Sequence, residues 1–292
     1  MHAVLITAYK DHPSLLRLVR RLDRGFFKTY IHIDRRSRIS RSERAELSRH
    51  GATIINNRYV RWGSISHLLA IMDLLRLATA EADVDYIHII SGQDYPLADA
   101  ETFRSRCDGR IFMNFEPVGD SSDYIKDRYR LRNYFYFLQL GSRVVNQVAR
   151  VLDPPSRWLQ TRLGVRRTSF GPFETLHKGM VWMSFPTTAA TALLRDPVAM
   201  DFLHAIRTAY VAEEIFFQTY FLNSDMRASI VNDDLRYTDW KRRNGSTPAF
   251  LDESDLGSVL RSNALFARKM SSDISSKLLD RIDAERFGSA GT

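Results

Sequence analysis

The segment YIHIISGQDYPL, residues 86–97, decides the fold class, because a short apolar run ends there in a polar turn. Apolar runs of about four to eight residues that are bounded by Gly and Pro are typical of buried β-strands. Three earlier segments have the same form: AVLITAY (3–9), FKTYIHID (27–34) and ATIINN (52–57). GRIFMNFE (109–116) predicts a fifth strand.

Segments with helical spacing of apolar residues separate these strands: HPSLLRLVRRLDR (12–24), RSERAELSRH (41–50) and SISHLLAIMDLLRLATA (64–80). Such alternation predicts an α/β fold with a central, mostly parallel sheet flanked by helices. Ligands of these sheets bind beyond the carboxyl ends of the strands. Asp34 and the SGQDYP turn follow predicted strands, so both are site candidates, although an Asp there also caps turns.

Composition sets the outer limits of function. The 292 residues carry 42 basic and 34 acidic side chains, a net charge of +8, which suits nucleic acid, an anionic membrane or a phosphorylated small molecule. One cysteine, Cys107, cannot form an intrachain disulfide, which favours a reducing compartment. No apolar run approaches the roughly 20 residues of a membrane span, so we expect a cytoplasmic protein.

A basic segment interrupts the chain at about residues 120–170. It mixes arginine with aromatic residues, and its part 141–170 contains one acid, Asp153. We expect a helical insertion in a single domain of residues 1–292, with a helix pair joined at Pro154-Pro155. Basic amphipathic segments bind anionic lipid headgroups, and an insertion that is merely solvated is the alternative.

Three other patterns could carry chemistry. Asp83-Val84-Asp85 has the DxD spacing that holds a divalent metal on a diphosphate, but it precedes a strand, which favours a polar connection. Arg268-Lys269 lies in the apolar frame LFARKM, and DWKRRNGS (239–246) holds three more cations. Two such clusters could neutralise a diphosphate without metal, or form solvated faces. The histidines show no zinc-binding spacing.

Six motifs occur in one order: YIHIDRRS (30–37), RYVRWGSISHLLAIMDLL (58–75), YIHIISGQDYPL, AEEIFFQT (212–219), LRYTDW (235–240) and LFARKM. In this the chain resembles glycosyltransferase family 14, which contains the core-2/I-branching β-1,6-N-acetylglucosaminyltransferases and the peptide O-xylosyltransferases. The resemblance runs over about residues 2–270. It implies a GT-A-like fold, a UDP-sugar donor, transfer with inversion, and no metal or other cofactor.

The resemblance also implies roles for single residues. Glu214 matches the catalytic base, although Ala212-Glu213 replaces the family's Pro-Asp before it. Seven residues match or are assigned to donor-binding positions: Asp34, Arg36, Trp62, Asp94, Arg243, Arg268 and Lys269. Three are placed on the acceptor side: Glu213, Gly179 and Trp182. The assignment of Arg243 rests on a gapped alignment, and an acid at Glu214 would also suit the helix dipole.

Two departures from the family bear on the acceptor. The disulfides and the membrane anchor of its secreted animal members are absent from this sequence. We therefore expect a bacterial, cytoplasmic form that transfers GlcNAc or xylose to a glycan or lipid-linked glycan in surface polysaccharide or glycoconjugate synthesis. Its expected partners are the UDP-sugar, this acceptor and an anionic surface at the inner face of the cytoplasmic membrane, with no nucleic acid.

Alternatives of other classes stay open at this point. A metal-dependent GT-A enzyme would use Asp83 and Asp85 and would lose activity in EDTA. A non-catalytic protein could bind nucleic acid through the basic middle segment, with strongly salt-dependent affinity. A non-catalytic relative could also bind glycan alone.

Overall fold

A computed structural model describes residues 1–22, 25–119, 133–139 and 145–288. The strands in chain order are β1 (His2–Ala8), β2 (Phe27–Ile33), β3 (Ala52–Ile55), β4 (Tyr86–Ser91), β5 (Asp94–Pro96), β6 (Ile111–Met113), β7 (Glu116–Pro117), β8 (His177–Lys178), β9 (Met183–Pro186), β10 (Ile230–Asn232), β11 (Arg236–Thr238) and β12 (Phe266–Arg268).

The α-helices in chain order are α1 (His12–Leu22), α2 (Arg41–Arg49), α3 (Ile65–Thr79), α4 (Ala100–Arg106), α5 (Val145–Arg162), α6 (Thr187–Arg195), α7 (Pro197–Ala205), α8 (Glu213–Leu222), α9 (Leu256–Arg261) and α10 (Ser276–Phe287). In the described ranges, short 3₁₀ turns lie at Phe137–Gln139, Asp225–Ser229 and Glu253–Asp255. Local sequence explains several starts: Ser40 and Glu43 form a capping box before α2, and Asp99 caps α4.

Seven strands form the main sheet in the order β10-β6-β9-β4-β1-β2-β3, and only β9 runs antiparallel to its neighbours. The predicted α/β class with a mostly parallel central sheet is therefore confirmed. The arrangement agrees with the GT-A-like fold that the resemblance implies.

Alternation along the strands divides the core between the two faces of the sheet. In β1, Ala3 and Leu5 point into one apolar cluster with α3 and α8, whereas Val4 and Ile6 point into another with α1. Both clusters contain residues that are fully buried, which matches the nearly continuous apolar runs of strands covered on both faces. After the two glutamates at its start, helix α8 has apolar residues on all its sides and is buried along almost its whole length.

A second, three-stranded sheet has the order β11-β12-β5. Strands β12 and β5 are antiparallel, and their register places Arg268 opposite Asp94. The prediction that SGQDYP is only a turn was therefore incomplete, because Asp94 begins a strand. LFARKM supplies that strand's partner from the other end of the chain, so neither segment could show the pairing alone.

The basic insertion differs from its prediction. Helix α5 continues through Pro154 and Pro155 as one helix, so the expected helix pair is wrong. Proline removes an N–H donor but keeps φ near the helical value, so two prolines weaken a helix without having to end it. Residues 120–132 and 140–144, which belong to the predicted insertion, lie outside the described residues. No described helix is both long and apolar enough to cross a membrane.

Candidate active site

The carboxyl ends of β1, β2 and β4 meet at one edge of the main sheet. The Asp34 amide donates to the Ala8 carbonyl at 2.9 Å, and the Gly92 amide donates to the Thr7 carbonyl at 3.1 Å. These bonds bring the segments after β2 and β4 against the end of β1. The sequence-predicted candidates Asp34 and Asp94 therefore lie at the same edge, as expected for parallel strands.

Asp34 and Arg36 form a polar corner at this edge. The buried Asp34 carboxylate accepts the Arg36 backbone N–H at 2.8 Å and its Nη2 at 2.7 Å. This hydrogen bond to Asp34 raises the pKa of the Arg36 guanidinium, which also donates to the Val60 carbonyl. The pair is held rigid from both sides, which suits recognition of a polar ligand edge. Its predicted assignment to the nucleoside stays a prediction.

Asp94 is a buried carboxylate shared by two arginines. It accepts the Ser91 backbone N–H at 2.7 Å, and Arg268 Nη1 lies 3.3 Å from its Oδ2. Arg236 Nε lies 3.8 Å from its Oδ1, and Arg236 Nη2 donates to the Ile89 carbonyl at 2.6 Å. Burial lowers the pKa of Arg236, against the opposing pull of the Asp94 charge. The site therefore contains two buried guanidinium groups, whose charge is compensated by the carboxylates of Asp94 and Asp234.

Arg268 lies between Asp94 and an aromatic ring. Its guanidinium carbon is 4.5 Å from the centre of the Trp182 ring, a cation–π distance. Arg268 Nε and Trp182 Nε1 are buried donors that have no hydrogen-bond partner in the described part of the chain. Buried donors are rarely left unsatisfied, so this pair indicates a place for an acceptor-rich ligand. Trp182 thus borders the donor-side arginine as well as the predicted acceptor region.

Two lysines extend the positive charge toward solvent. Lys269 Nζ lies 5.8 Å from the centre of the Phe250 ring, and the exposed Lys10 lies 5.9 Å from the same centre. Burial first, and then the charges of Arg268 and Lys10, lower the pKa of Lys269. Three cations in this proximity raise each other's energy, and a bound diphosphate would relieve that repulsion.

Arg243 stands apart from this cluster in its bonding. Its guanidinium donates to Asp255 at 2.6 Å, to Asp252 at 2.5 Å and to Asp239 at 3.4 Å. Hydrogen bonding to Asp255 is the main cause that raises the pKa of Arg243. These contacts close the loop that carries Ser246, whose Oγ accepts from Lys269 Nζ at 3.2 Å. These carboxylates already balance the charge of the Arg243 guanidinium. Its assignment to the diphosphate stays a prediction.

The two adjacent glutamates at the start of α8 differ in their surroundings. Glu213 is buried, and its Oε1 lies 3.3 Å from His67 Nδ1, whereas its Oε2 is without a hydrogen-bond partner among the described residues. Glu214 is half-buried, and its backbone carbonyl accepts the Gly179 N–H at 2.9 Å. Ala212 provides no side-chain cap, so the acids of the first turn suit the positive helix end.

Gly179 holds α8 close to the sheet. A Cβ at this position would clash with the Asn114 carbonyl oxygen, so no side chain fits. The neighbouring Met180 N–H donates to Asn114 Oδ1 at 2.6 Å, and Gln218 Nε2 donates to the Met180 carbonyl at 2.7 Å. The backbone around Gly179 is thereby fixed against Glu214. The glycine predicted for the acceptor side acts here through close packing.

His67 connects the two sides of the site. Its Nε2 lies 3.1 Å from Thr7 Oγ1, and its Nδ1 faces Glu213. Its ring meets the Trp182 ring edge-on at 6.0 Å between centres. A continuous set of contacts therefore runs from the glutamate through His67 and Trp182 to Arg268.

Trp62 lies at the rim with 65% of its surface exposed. Its ring meets that of Tyr210 edge-on at 5.3 Å. Gly63 has a φ of +80°, and its carbonyl accepts the Val211 N–H at 2.8 Å, just before α8. An exposed indole fixed beside the glutamates offers an apolar surface on which a sugar ring can stack.

The DxD segment lies at the opposite end of the sheet, beside the amino ends of its parallel strands. Asp83 and Asp85 precede β4, whose six residues span about 20 Å before Asp94 is reached. Asp83 Oδ1 is 2.6 Å from Lys28 Nζ, and Asp85 lines a separate groove of about 580 Å³ with Arg195. The two carboxylates are remote from the cationic cluster, which does not favour the metal-dependent alternative.

One set of potential metal ligands does come together in the described ranges: His2, His88 and Cys107 place ligand atoms within 4.8 Å of one another. It lies in an aromatic part of the core, where Tyr86 and Phe103 pack on the histidines. Burial lowers the pKa of His2 to about 4 and that of His88 well below its usual range. Neutral imidazoles joined by a 3.0 Å hydrogen bond account for this cluster without a role in the site.

Sequence reasoning missed three residues of this site. Lys10 follows β1 at the ligand edge, so the strand-end rule could have identified it. Arg236 stands inside the LRYTDW motif, but a fully buried arginine cannot be told from a solvated one by sequence. His67 meets its partners only through tertiary contacts, and nothing in its local sequence predicts them.

Comparison with known proteins agrees with this geometry. The family model described as Core-2/I-Branching enzyme matches residues 3–260. Xylosyltransferase 2 of Mus musculus is 26% identical over 314 aligned residues, which cover 95% of this chain and 33% of the mouse protein. The chain thus spans about a third of the length of that relative.

Proposed function

Because the chain belongs to the Core-2/I-branching enzyme family, we propose that it is an inverting glycosyltransferase that uses a UDP-sugar and requires no metal. The proposed donor sugar is GlcNAc or xylose, and the acceptor is a hydroxyl of a glycan. One observation carries the proposal: Arg268, Lys269 and Lys10 converge at the ligand edge of the sheet, on the same side as the glutamates of α8.

The proposed reaction is a single displacement. The acceptor oxygen attacks the anomeric carbon of the donor while the bond from that carbon to the diphosphate oxygen breaks. Glu214 takes the proton of the attacking hydroxyl, and its position on a buried helix fixes its carboxylate. A single base and a departing diphosphate suffice for inversion.

The leaving group is the second requirement. Negative charge grows on the diphosphate as UDP departs, and preorganised cations stabilise that charge most in a site with little water. Arg268 offers fixed donors, Trp182 and Asp94 hold its plane, and the two lysines add point charges. This is the work that a divalent ion performs in metal-dependent enzymes.

UDP release from a panel of UDP-sugars, measured in EDTA and in Mn²⁺, tests the proposal. We expect one donor to turn over equally in both, and Glu214→Gln to lose about 10²–10⁴ of the rate. Glu174→Gln, at an exposed acid, is the matched control and should keep full activity.

Two results would contradict the mechanism. Turnover that needs Mn²⁺ and survives Glu214→Gln would mean that both the base and the diphosphate site are assigned wrongly. If no UDP-sugar reacts, calorimetry with UDP decides. The donor site would be overturned if the wild type does not bind UDP, or if Arg268→Gln binds UDP as tightly as the wild type.

A further inference from the structure

From Val151 to Leu163, the residue just past its end, α5 has its polarity reversed relative to an ordinary surface helix. At 100° per residue, Val151, Trp158 and Leu159 share one stripe of the helix with Leu152 and Leu163. Their exposed fractions are 68%, 64%, 49%, 38% and 66%, respectively. The opposite side faces the protein and carries Asp153 and Gln160, which are buried. An exposed apolar stripe of this kind marks an interaction surface.

Polar contacts fix this orientation. Gln160 Oε1 accepts the Tyr134 N–H at 2.9 Å, and Gln160 Nε2 donates to the Tyr134 carbonyl at 2.9 Å. The Arg157 guanidinium lies 5.1 Å from the centre of the Phe135 ring. Rotating the helix to bury its apolar stripe would break both hydrogen bonds between the Gln160 side chain and the Tyr134 backbone. The stripe therefore belongs on the outside.

The charge beside the stripe has one sign. Arg162 lies within the stripe, 5.9 Å from the centre of the Trp158 ring, and Arg166 follows it; both are exposed. The one acid between residues 151 and 167 is Asp153, which is buried on the other side. The exposed surface therefore combines apolar side chains, an indole and arginines without a compensating carboxylate on this segment.

We propose that this stripe, defined by Val151, Leu152, Trp158, Leu159 and Leu163, docks on an anionic membrane surface with the helix lying in the headgroup region. Tryptophan and arginine are the side chains that place an apolar body in lipid and a polar end at the headgroups. Packing of the stripe against a second copy fits less well, because a two-fold interface would place the arginines of both copies in one surface to which this segment contributes no exposed carboxylate.

Helix α5, which carries the stripe, is connected to the rim of the candidate active site through the Phe137–Gln139 turn. The 3₁₀ turn Phe137–Gln139 packs on α5, and Arg61 donates to the carbonyls of that turn at 3.1 Å. Phe135 stacks on Tyr210, which in turn contacts Trp62. A docked enzyme would present this rim close to the headgroups. If the proposed function holds, the acceptor is then a glycan that a lipid anchors in the membrane.

Vesicle sedimentation tests the docking. The wild type should sediment with phosphatidylglycerol-containing vesicles and only weakly with pure phosphatidylcholine. Trp158→Ser/Leu159→Ser/Leu163→Ser should lower the partition coefficient by about tenfold or more. Arg162→Gln/Arg166→Gln should lower it by about fivefold for each arginine, on anionic vesicles only.

Trp240→Ser is the matched control, because Trp240 is 57% exposed outside the stripe and should not change sedimentation. Circular dichroism melting shows whether each variant is folded. Equal partitioning of the wild type and the stripe variant would overturn the proposal. The proposal would also be overturned if the wild type is a dimer that does not sediment with vesicles and the stripe variant is a monomer.

Hydrolysis of UDP-sugar in solution separates this inference from the proposed function. The stripe variant should keep that activity while losing vesicle binding. Vesicle binding by a protein that neither turns over a donor nor binds UDP would leave the docking in place and reject the proposed donor site. Donor turnover without vesicle binding would reject the docking and leave the proposed function in place.

Discussion

The β11-β12-β5 sheet and the apolar stripe along α5 break the ordinary rule of burial in opposite directions. In the small sheet, Arg236 and Arg268 are buried beside Asp94. In the stripe, Trp158 and Leu163 remain in solvent, while Gln160 on the opposite side of α5 is buried. Both the buried cations and the exposed apolar stripe cost free energy in the isolated protein. In the functions proposed above, a ligand restores the missing contact: an anion for the buried cations and lipid for the stripe.

Because one region is buried and the other is exposed, substitutions in the two regions should change different properties of the protein. Buried charges are coupled to the fold, so changing them affects stability and function together. The exposed stripe contributes to neither the core nor the sheet, so changing it should affect docking alone. The predictions below follow from this contrast.

The largest effect is expected for Asp94→Asn. Removing this charge leaves Arg268 and Arg236 buried with less compensation, which costs about 3–5 kcal/mol in the free energy of unfolding. Denaturant unfolding measures it. Asp280→Asn is the control, because Asp280 is an exposed partner of Arg17 and should cost less than about 1 kcal/mol. Equal effects of the two substitutions would contradict a buried charge network.

Gly179→Ala should follow in size. The added methyl meets the Asn114 carbonyl, so the backbone that supports Glu214 must move, at a cost of about 1–3 kcal/mol. Its activity should fall by more than its stability explains, since the base is displaced. Gly119→Ala is the matched control, because a Cβ there meets open space and, as at Gly179, φ is not in the left-handed region. A Gly179→Ala enzyme with unchanged stability and rate would reject the packing role.

A smaller, pH-dependent effect is expected at Lys269. Burial and neighbouring cations lower its pKa in the free protein, and a bound diphosphate should raise it again. UDP binding should therefore take up protons at alkaline pH, and affinity should fall as pH rises above the lowered pKa. Calorimetry at about pH 9 in two buffers of different ionisation enthalpy measures the uptake.

Lys269→Arg provides the test of that assignment, because arginine stays protonated over this range. It should bind UDP without the proton uptake. If the uptake persists in Lys269→Arg, the titrating group lies elsewhere.

The smallest effect on stability is expected for the stripe variant Trp158→Ser/Leu159→Ser/Leu163→Ser. Its side chains are exposed, so each substitution should change the free energy of unfolding by no more than about 0.5 kcal/mol. Denaturant unfolding beside Asp94→Asn makes the comparison direct. A large loss of stability would show that the stripe packs on the protein, and the contrast between the two regions would fail.

Local pattern was sufficient for strands β1 to β4 of the main sheet, but β9 and β10 were not predicted. The runs at β1, β2, β3 and β4 carry their signal within a few residues, and parallel order follows from the helices between them. This placed Asp34 and Asp94 at the correct edge. The Pro154-Pro155 helix was missed because proline weakens a helix without always ending it.

Long-range pairing was beyond the sequence. Strands of three residues have no detectable period, so the partnership of β5 with β12 could not be predicted. The same holds for Arg236 and His67, whose surroundings come from distant segments. The resemblance supplied Arg268 and Lys269 by motif, but not the carboxylate and ring that hold Arg268.

The pairing of Asp94 with Arg268 also has a consequence in time. The two residues are 174 positions apart, and ribosomes add about 5–20 residues per second. Asp94 is therefore added to the nascent chain on the order of ten to thirty seconds before Arg268. Strands β1 to β4 of the main sheet can pair in that interval, but the pair of Asp94 and Arg268 cannot form. A nascent chain should thus acquire this part of its sheet early and, under the proposed function, its capacity to bind a sugar nucleotide only near the end of synthesis.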